Sequence, residues 1–301
     1  YTSLCIVNGN PAISYQDVTN FDLKYVRATD ANGSAWGSPQ TLDATGSVGL
    51  YTSLSVVNGN PAISYQDGTN NDLKYVRATD VSGTTWGSPQ TIDATGIVGQ
   101  FNSLFVVNGN PAISYFDNSN GDLKYVRATD ASGAAWGSPQ TIDAIGTGIG
   151  YYTSLKVVNG NPAISYCNAS NFDLKYIRAS DADGTAWGSP LNLESVGNVG
   201  YYTSLCIVNG NPAISYYDVT NQDLKYIRAT DASGTTWGSI QTLDATGNVG
   251  QYTTLCIVNG NPAISYYDVT NGNQKYLRAT DASGAAWGSA LSLDATGSVG
   301  L

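Results

Sequence analysis

Short runs of β-forming residues alternate with clusters of turn residues along the chain, and no segment spaces its apolar positions at the 3.6-residue interval of a helix over a useful length. Near the start, YTSLCIV and PAISYQD flank Asn8-Gly9. Asn-Gly is the strongest short hairpin signal, because a tight primed turn needs a positive φ that these two residues supply at little cost. The two runs are therefore expected to pair. DVTNFD then reads as a loop, LKYVRAT as a third strand, DANGSA as a second turn and WGSPQTLD as a fourth strand, after which ATGSVG leads onward.

The same order returns six times, from Tyr1, Tyr51, Phe101, Tyr152, Tyr202 and Tyr252, with one extra residue near Gly148 shifting the last three copies. VNGNPAISY is unchanged in all six, starting at Val7, Val57, Val107, Val158, Val208 and Val258. A fixed period near 50 residues with four strands per copy is the size of a propeller blade. A solenoid needs atypical polar ends, whereas the first and last copies read as typical here. The expected fold is all-β: one domain over 1–301, a six-bladed β-propeller with four antiparallel strands per blade. The blades span approximately 1–50, 51–100, 101–151, 152–201, 202–251 and 252–301, with the ring shut between the sixth and the first. The invariant nonapeptide is then the inner hairpin, which meets the same neighbours in every blade, and Pro11 gives up its backbone donor at a strand's first residue.

Composition narrows the function classes. Thirteen basic residues against 23 acidic ones give a formal charge of −10, with no Lys/Arg run to follow a phosphate backbone, so nucleic acid is not an expected partner. No apolar stretch approaches the ~20 residues of a membrane helix. The chain begins at Tyr1 and has no Met, which suggests a piece of a longer polypeptide or assembly. Cys5, Cys206 and Cys256 share one repeat position and Cys167 stands alone; free thiols filling small semi-buried sites are expected, with pairing left open.

RATDASGTTWGS, from Arg228 to Ser239, resembles the Asp-box of sialidase-type (BNR-like) propellers, with one more residue between Asp and Gly than that pattern has. Each copy carries it, from Asp30, Gly33 and Trp36 to Asp281, Gly284 and Trp287. The resemblance implies a propeller whose Asp accepts bonds from turn amides while the Trp plugs the space between blades, and a non-catalytic member of the family. Its enzymatic branch uses an arginine triad, an acid/base Asp and a Tyr–Glu pair, each from a different blade. Here Arg27, Arg77, Arg127, Arg178, Arg228 and Arg278 sit at one repeated position and the single glutamate, Glu194, replaces a repeated Asp, so no catalytic residue is carried over.

Other chemistry is sparse. There is no histidine and no CxxC pair. The carboxylates repeat with the blades, as Asp17, Asp22, Asp30 and Asp43 do in the first, whereas an active site normally breaks symmetry. Asp17, Asn20 and Asp22 offer oxygen ligands of the kind Ca²⁺ takes, and equally the chemistry of a turn. No cofactor and no metal site are expected beyond that possible calcium loop.

Differences among the copies concentrate on one end of the blades, where the second-to-third loop and the inter-blade link emerge. After AISY come Gln16, Gln66, Phe116, Cys167, Tyr217 and Tyr267; the loop tip reads Phe21, Asn71, Gly121, Phe172, Gln222 and Gly272; the link ends in Leu50, Gln100, Tyr151, Tyr201, Gln251 and Leu301. A primed turn places Tyr1 beside position 16. The Cys5 position, which accepts Ser55, Phe105 and Lys156, is expected to look into a central channel. Aromatic and amide groups near carboxylates suit sugar recognition. The candidate ligand-binding residues are Tyr1, Gln16, Phe21, Gln66, Phe116, Tyr151, Phe172, Tyr201, Tyr217 and Tyr267. The expected function is a non-catalytic, multivalent carbohydrate-binding module, extracellular or at a cell surface. The alternative is a structural or protein-interaction propeller whose partners are surface proteins, with a sialidase-like hydrolase third.

Overall fold

The computed structural model describes residues 1–144, 146 and 148–296, and Leu301 at the last link lies outside them. The fold class is the one expected, an all-β six-bladed β-propeller of about 50-residue repeats, each a four-stranded antiparallel sheet whose strands pair in chain order. Among the described residues no helix is long and apolar enough to cross a membrane, which says nothing of a β-barrel. The chain divides into two compact units, Tyr1–Gly150 and Tyr151–Leu301, with three blades in each.

The first blade shows how the sequence makes its sheet. Strands Thr2–Val7 and Asn10–Asp17 pair with Val7 opposite Asn10, and Asn8 and Gly9 lie at φ of 45° and 79° as a primed two-residue turn requires. The third strand, Asp22–Arg27, pairs in register with the second. The fourth is shorter than expected, Gln40–Asp43. Trp36 makes an isolated bridge to Ala28, and Pro39 has no amide to continue a ladder from there. From the second blade onward the first strand begins before the repeat boundary, as in Val48–Val57, because the link is drawn into the sheet through a bulge near Tyr51. Gly49 allows this: a Cβ there, at φ 86°, would lie 3.0 Å from the Leu23 backbone.

The core lies between blades. In the first unit Val7, Ala12, Leu23 and Tyr25 pack against Leu54, Ile63, Tyr65 and Val76 of the second blade, and the second blade meets the third in the same way. The second unit repeats the arrangement between blades four and five and between five and six. A buried polar clamp closes each of these junctions. Tyr65 and Lys74 both donate to Asp43, at 2.7 and 2.9 Å. Tyr115 and Lys124 hold Asp93; Tyr216 and Lys225 hold Glu194; Tyr266 and Lys275 hold Asp244. Burial would raise the Asp43 carboxyl, but bonds from Thr45, Tyr65 and Lys74 outweigh it and bring it down to about 2. Inner strands are also stapled directly, the Leu54 amide donating to Ser3 Oγ at 3.0 Å and Leu104, Leu205 and Leu255 repeating the bond.

The last copy is less typical than its pattern suggests. Gln274 stands where the other blades carry a leucine such as Leu23 or Leu73, both fully buried. Gln274 itself is half-buried.

Candidate functional site

The Asp–Gly–Trp turns are built as braces. Asp30 accepts the Asn32, Ser34 and Ala35 amides and the Ser34 hydroxyl at 2.8–3.1 Å, and Trp36 Nε1 donates to the Gly33 carbonyl at 3.0 Å. The amide and hydroxyl of Ser34 and then the other amides hold its carboxyl below the usual range. In a neighbouring blade the same turn locks the junction. Trp86 meets the Tyr25 ring edge-on at 5.0 Å, and Gln40 donates to the Gly83 carbonyl at 2.8 Å. Burial pushes the Tyr25 phenol up to about 12. The six arginines are equally committed, each donating through Nε and Nη2 to carbonyls of its own first hairpin, as Arg27 does to Val7 and Asn8.

The acidic loop is a turn. Asp17 accepts the Thr19 amide and the Asn20 amide and side chain, and Lys24 lies 3.6 Å from Asp17 and 3.7 Å from Asp22. Its oxygens are spent on those donors and a cation already faces both carboxylates, so Ca²⁺ does not fit this loop. No group of three or more His, Cys, Asp or Glu that could hold a metal occurs among the described residues. No disulfide is formed among the described residues; burial raises the Cys167 and Cys206 thiols.

The candidate residues separate by burial. Position 16 is not a surface position: Gln66, Phe116, Tyr217 and Tyr267 are buried. Three side chains at this position hold the link to the next blade, Gln16 donating to the Val48 carbonyl, Gln66 to that of Val98 and the Tyr217 hydroxyl to Asn248. As ligand-stacking groups these buried residues are corrected, because at most 5% of any of them reaches solvent. Phe21 and Phe172 are exposed at loop tips with φ of 60° and 62°. That left-handed geometry explains why Asn71, Gly121 and Gly272 share the position. Tyr1 is exposed and its carbonyl accepts the Gln16 amide, as the hairpin register predicts; Tyr151 and Tyr201 are half-buried.

The structure adds a row of aromatics that the comparison of variable positions passes over, namely the residues that open each copy. In the first unit the Tyr1 and Tyr51 ring centroids are 4.3 Å apart and those of Tyr51 and Phe101 4.6 Å. In the second, Tyr152 and Tyr202 are 4.5 Å apart, Tyr202 and Tyr252 4.4 Å, and Tyr201 lies 5.3 Å from Tyr152. Tyr51, Phe101, Tyr152, Tyr202 and Tyr252 all have φ between 50° and 55°, a region that costs a non-glycine residue about 1–2 kcal/mol. Neighbours impose it: Asn102 donates to the Tyr51 carbonyl and Thr203 to that of Tyr152, both at 2.9 Å. Burial and hydrogen bonds along the row raise the Tyr152 and Tyr202 phenols. The signal in the sequence is that this position is aromatic in every copy.

An open cleft of about 310 Å³ lies at the other end of the second unit, lined by Tyr176, Arg178, Leu191, Ser233 and Gly234. It forms where Leu191 replaces the glutamine that elsewhere reaches the next turn, as Gln40 and Gln241 do.

No family model matches the chain, and no curated protein sequence matches it either. Solved structures do match. The Hadza microbial sialidase Hz136 aligns with a TM-score of 0.58 at 16% identity, over 88% of this chain and 62% of the sialidase. YCF48, in a structure bound to a D1 peptide, aligns with a TM-score of 0.58 at 14% identity, over 95% of this chain and 78% of that one. An exo-beta-1,3-galactanase from Phanerochaete chrysosporium aligns with a TM-score of 0.48 at 13% identity, over 79% of this chain and 66% of the enzyme. This chain spans less than two thirds of the length of the sialidase or the galactanase. At these identities the likeness is one of fold.

Proposed function

We propose that this chain is a non-catalytic, multivalent binding module that recognises carbohydrate at the loop-and-link end of its blades, with its Asp–Gly–Trp turns acting as structural Asp-boxes. The aromatic row carries this reading. Strained, half-exposed rings held in series offer flat faces for the C–H faces of sugar rings, and Tyr1 and Tyr252 are exposed, as are Phe21 and Phe172 at the loop tips. The repeated carboxylates and arginines serve as turn and junction braces, which favours binding over hydrolysis. Several weak sites on one scaffold become useful through avidity, which suits display outside the cell or at its surface.

A glycan array probed with the intact chain, with and without a chelator, tests the proposal. The expected result is specific binding that survives chelation and falls at least ten-fold in Tyr252→Ala. A blank array, or binding unchanged by Tyr252→Ala and Phe172→Ala together, overturns it. The other reading, a propeller that binds protein, is suggested by the fold shared with YCF48, whose structure holds a peptide. Capture of a defined peptide ligand with no glycan binding would support it.

A further inference from the structure

The cleft in the second unit departs from the pattern of two other junctions. It lies where the exit face of the fourth blade, the side turned toward the next blade, meets the entry face of the fifth, and both blades belong to one compact unit. At the matching place in the first unit the Gly83 carbonyl accepts two donors, Trp86 Nε1 at 2.9 Å and Gln40 Nε2 at 2.8 Å. The Gly284 carbonyl likewise accepts Trp287 Nε1 at 2.9 Å and Gln241 Nε2 at 3.0 Å. At the cleft the Gly234 carbonyl accepts one donor among the described residues, Trp237 Nε1 at 2.9 Å, because Leu191 stands in the glutamine's place and has no donor to give. An acceptor is thereby left open beside an apolar side chain that is 36% exposed. The rest of the wall is polar. Arg178 spends Nε and Nη2 on the Val158 and Asn159 carbonyls, while its Nη1 and the Ser189 hydroxyl bond to nothing among the described residues.

We propose that this cleft binds one acetamido sugar. The acetamide N–H donates to the Gly234 carbonyl as Gln40 and Gln241 donate at their own junctions, the methyl group rests on Leu191, and ring hydroxyls reach Arg178 Nη1 and Ser189. The chemistry follows from the substitution. The carboxamide that is absent here sets the kind of donor the carbonyl takes, and the leucine in its place calls for an apolar group next to that donor. A trans acetamide carries its N–H and its methyl on the same edge, so one small group meets both demands. The volume of about 310 Å³ is at the small end of the range for small-molecule sites and suits a single sugar ring. The site is single and lies at the opposite end of the blades from the aromatic row, so it does not rest on the reading given to that row.

Two-dimensional NMR of the 301-residue chain, labelled at its six tryptophan indoles, tests this with N-acetylglucosamine as the probe and glucose, which lacks the acetamide, as the control. The Trp237 N–H shares its acceptor with the proposed ligand, so its resonance should move with N-acetylglucosamine and stay with glucose. Leu191→Gln installs the residue that Gln40 and Gln241 represent at their junctions, and should weaken binding about ten-fold or more by filling the cleft and taking the carbonyl. Gln40, which like Leu191 follows a Ser-Pro pair, gives the reverse test: Gln40→Leu should open a second cleft and make the Trp86 resonance respond as well. Tyr252→Ala should leave the Trp237 response unchanged, so that failure of the cleft and failure of the aromatic row are told apart. A Trp237 resonance that N-acetylglucosamine does not move, that glucose moves equally, or that responds as before in Leu191→Gln overturns the proposal, as does a silent Trp86 in Gln40→Leu.

Discussion

The first and second blades carry nearly the same residues on their entry faces, and those residues live in different environments. Leu54, Ile63, Tyr65 and Val76 are buried against the first blade, whereas Leu4 is exposed and Ile13, Tyr15 and Val26 are only half-covered. Identical local sequence therefore forms the same hairpin in both, and only the neighbour decides whether a side chain contributes to the core. Stability in this protein is a property of junctions more than of blades, as in other repeat architectures whose units bury their faces only against one another.

The largest effect expected from that contrast is in large-to-small substitution. Leu54→Ala should cost about 2–5 kcal/mol by removing buried surface and leaving a cavity, while Leu4→Ala in the monomer stays within about 0.5 kcal/mol. Chemical denaturation of both variants measures it, and equal costs would show that the first blade's entry face is as buried as the second's.

A smaller difference is expected at the clamp. Tyr65→Phe removes a donor to a buried carboxylate and should cost about 1–3 kcal/mol, whereas Tyr15→Phe removes a hydroxyl with no partner among the described residues and should be nearly silent. A double-mutant cycle with Asp43→Asn assigns the Tyr65 cost to the pair.

Acid dependence sharpens the same comparison with the smallest signal. The Asp43 carboxyl is held at about 2, below its ordinary value of 3.8, so its contribution is complete above about pH 4 and is lost as pH falls toward 2. That loss is on the order of 2 kcal/mol. Asp43→Asn should flatten part of the fall in stability across that window. A wild-type stability curve that stays level from pH 4 to 2 would show that the clamp does not favour the ionised carboxylate.

Much of the fold was legible in the chain. Asn8-Gly9, the β-rich runs and the fixed period led to four strands per copy and six copies, because turn chemistry and strand propensity act within a few residues. The Asp30 and Trp36 brace was legible for the same reason. The candidate site was legible only in part. Position 16 varies as a ligand-contacting position would, yet most of its side chains are buried, and Gln66 and Tyr217 each tie a link to the sheet in a different way. The aromatic row was hidden by its regularity, since a residue that is aromatic in every copy reads as scaffold until its neighbours are known.

The sequence by itself determined the hairpins, the number of strands and the order in which they pair, all of which depend on local backbone preferences. The tertiary structure alone decided which copies of one residue are core and which are surface. Tyr65 is buried against the first blade and Tyr15 is only half-buried, though both close the same AISY run. It also decided that the aromatics opening each copy stand ring beside ring, because that contact joins residues about fifty positions apart and depends on how one blade is set against the next.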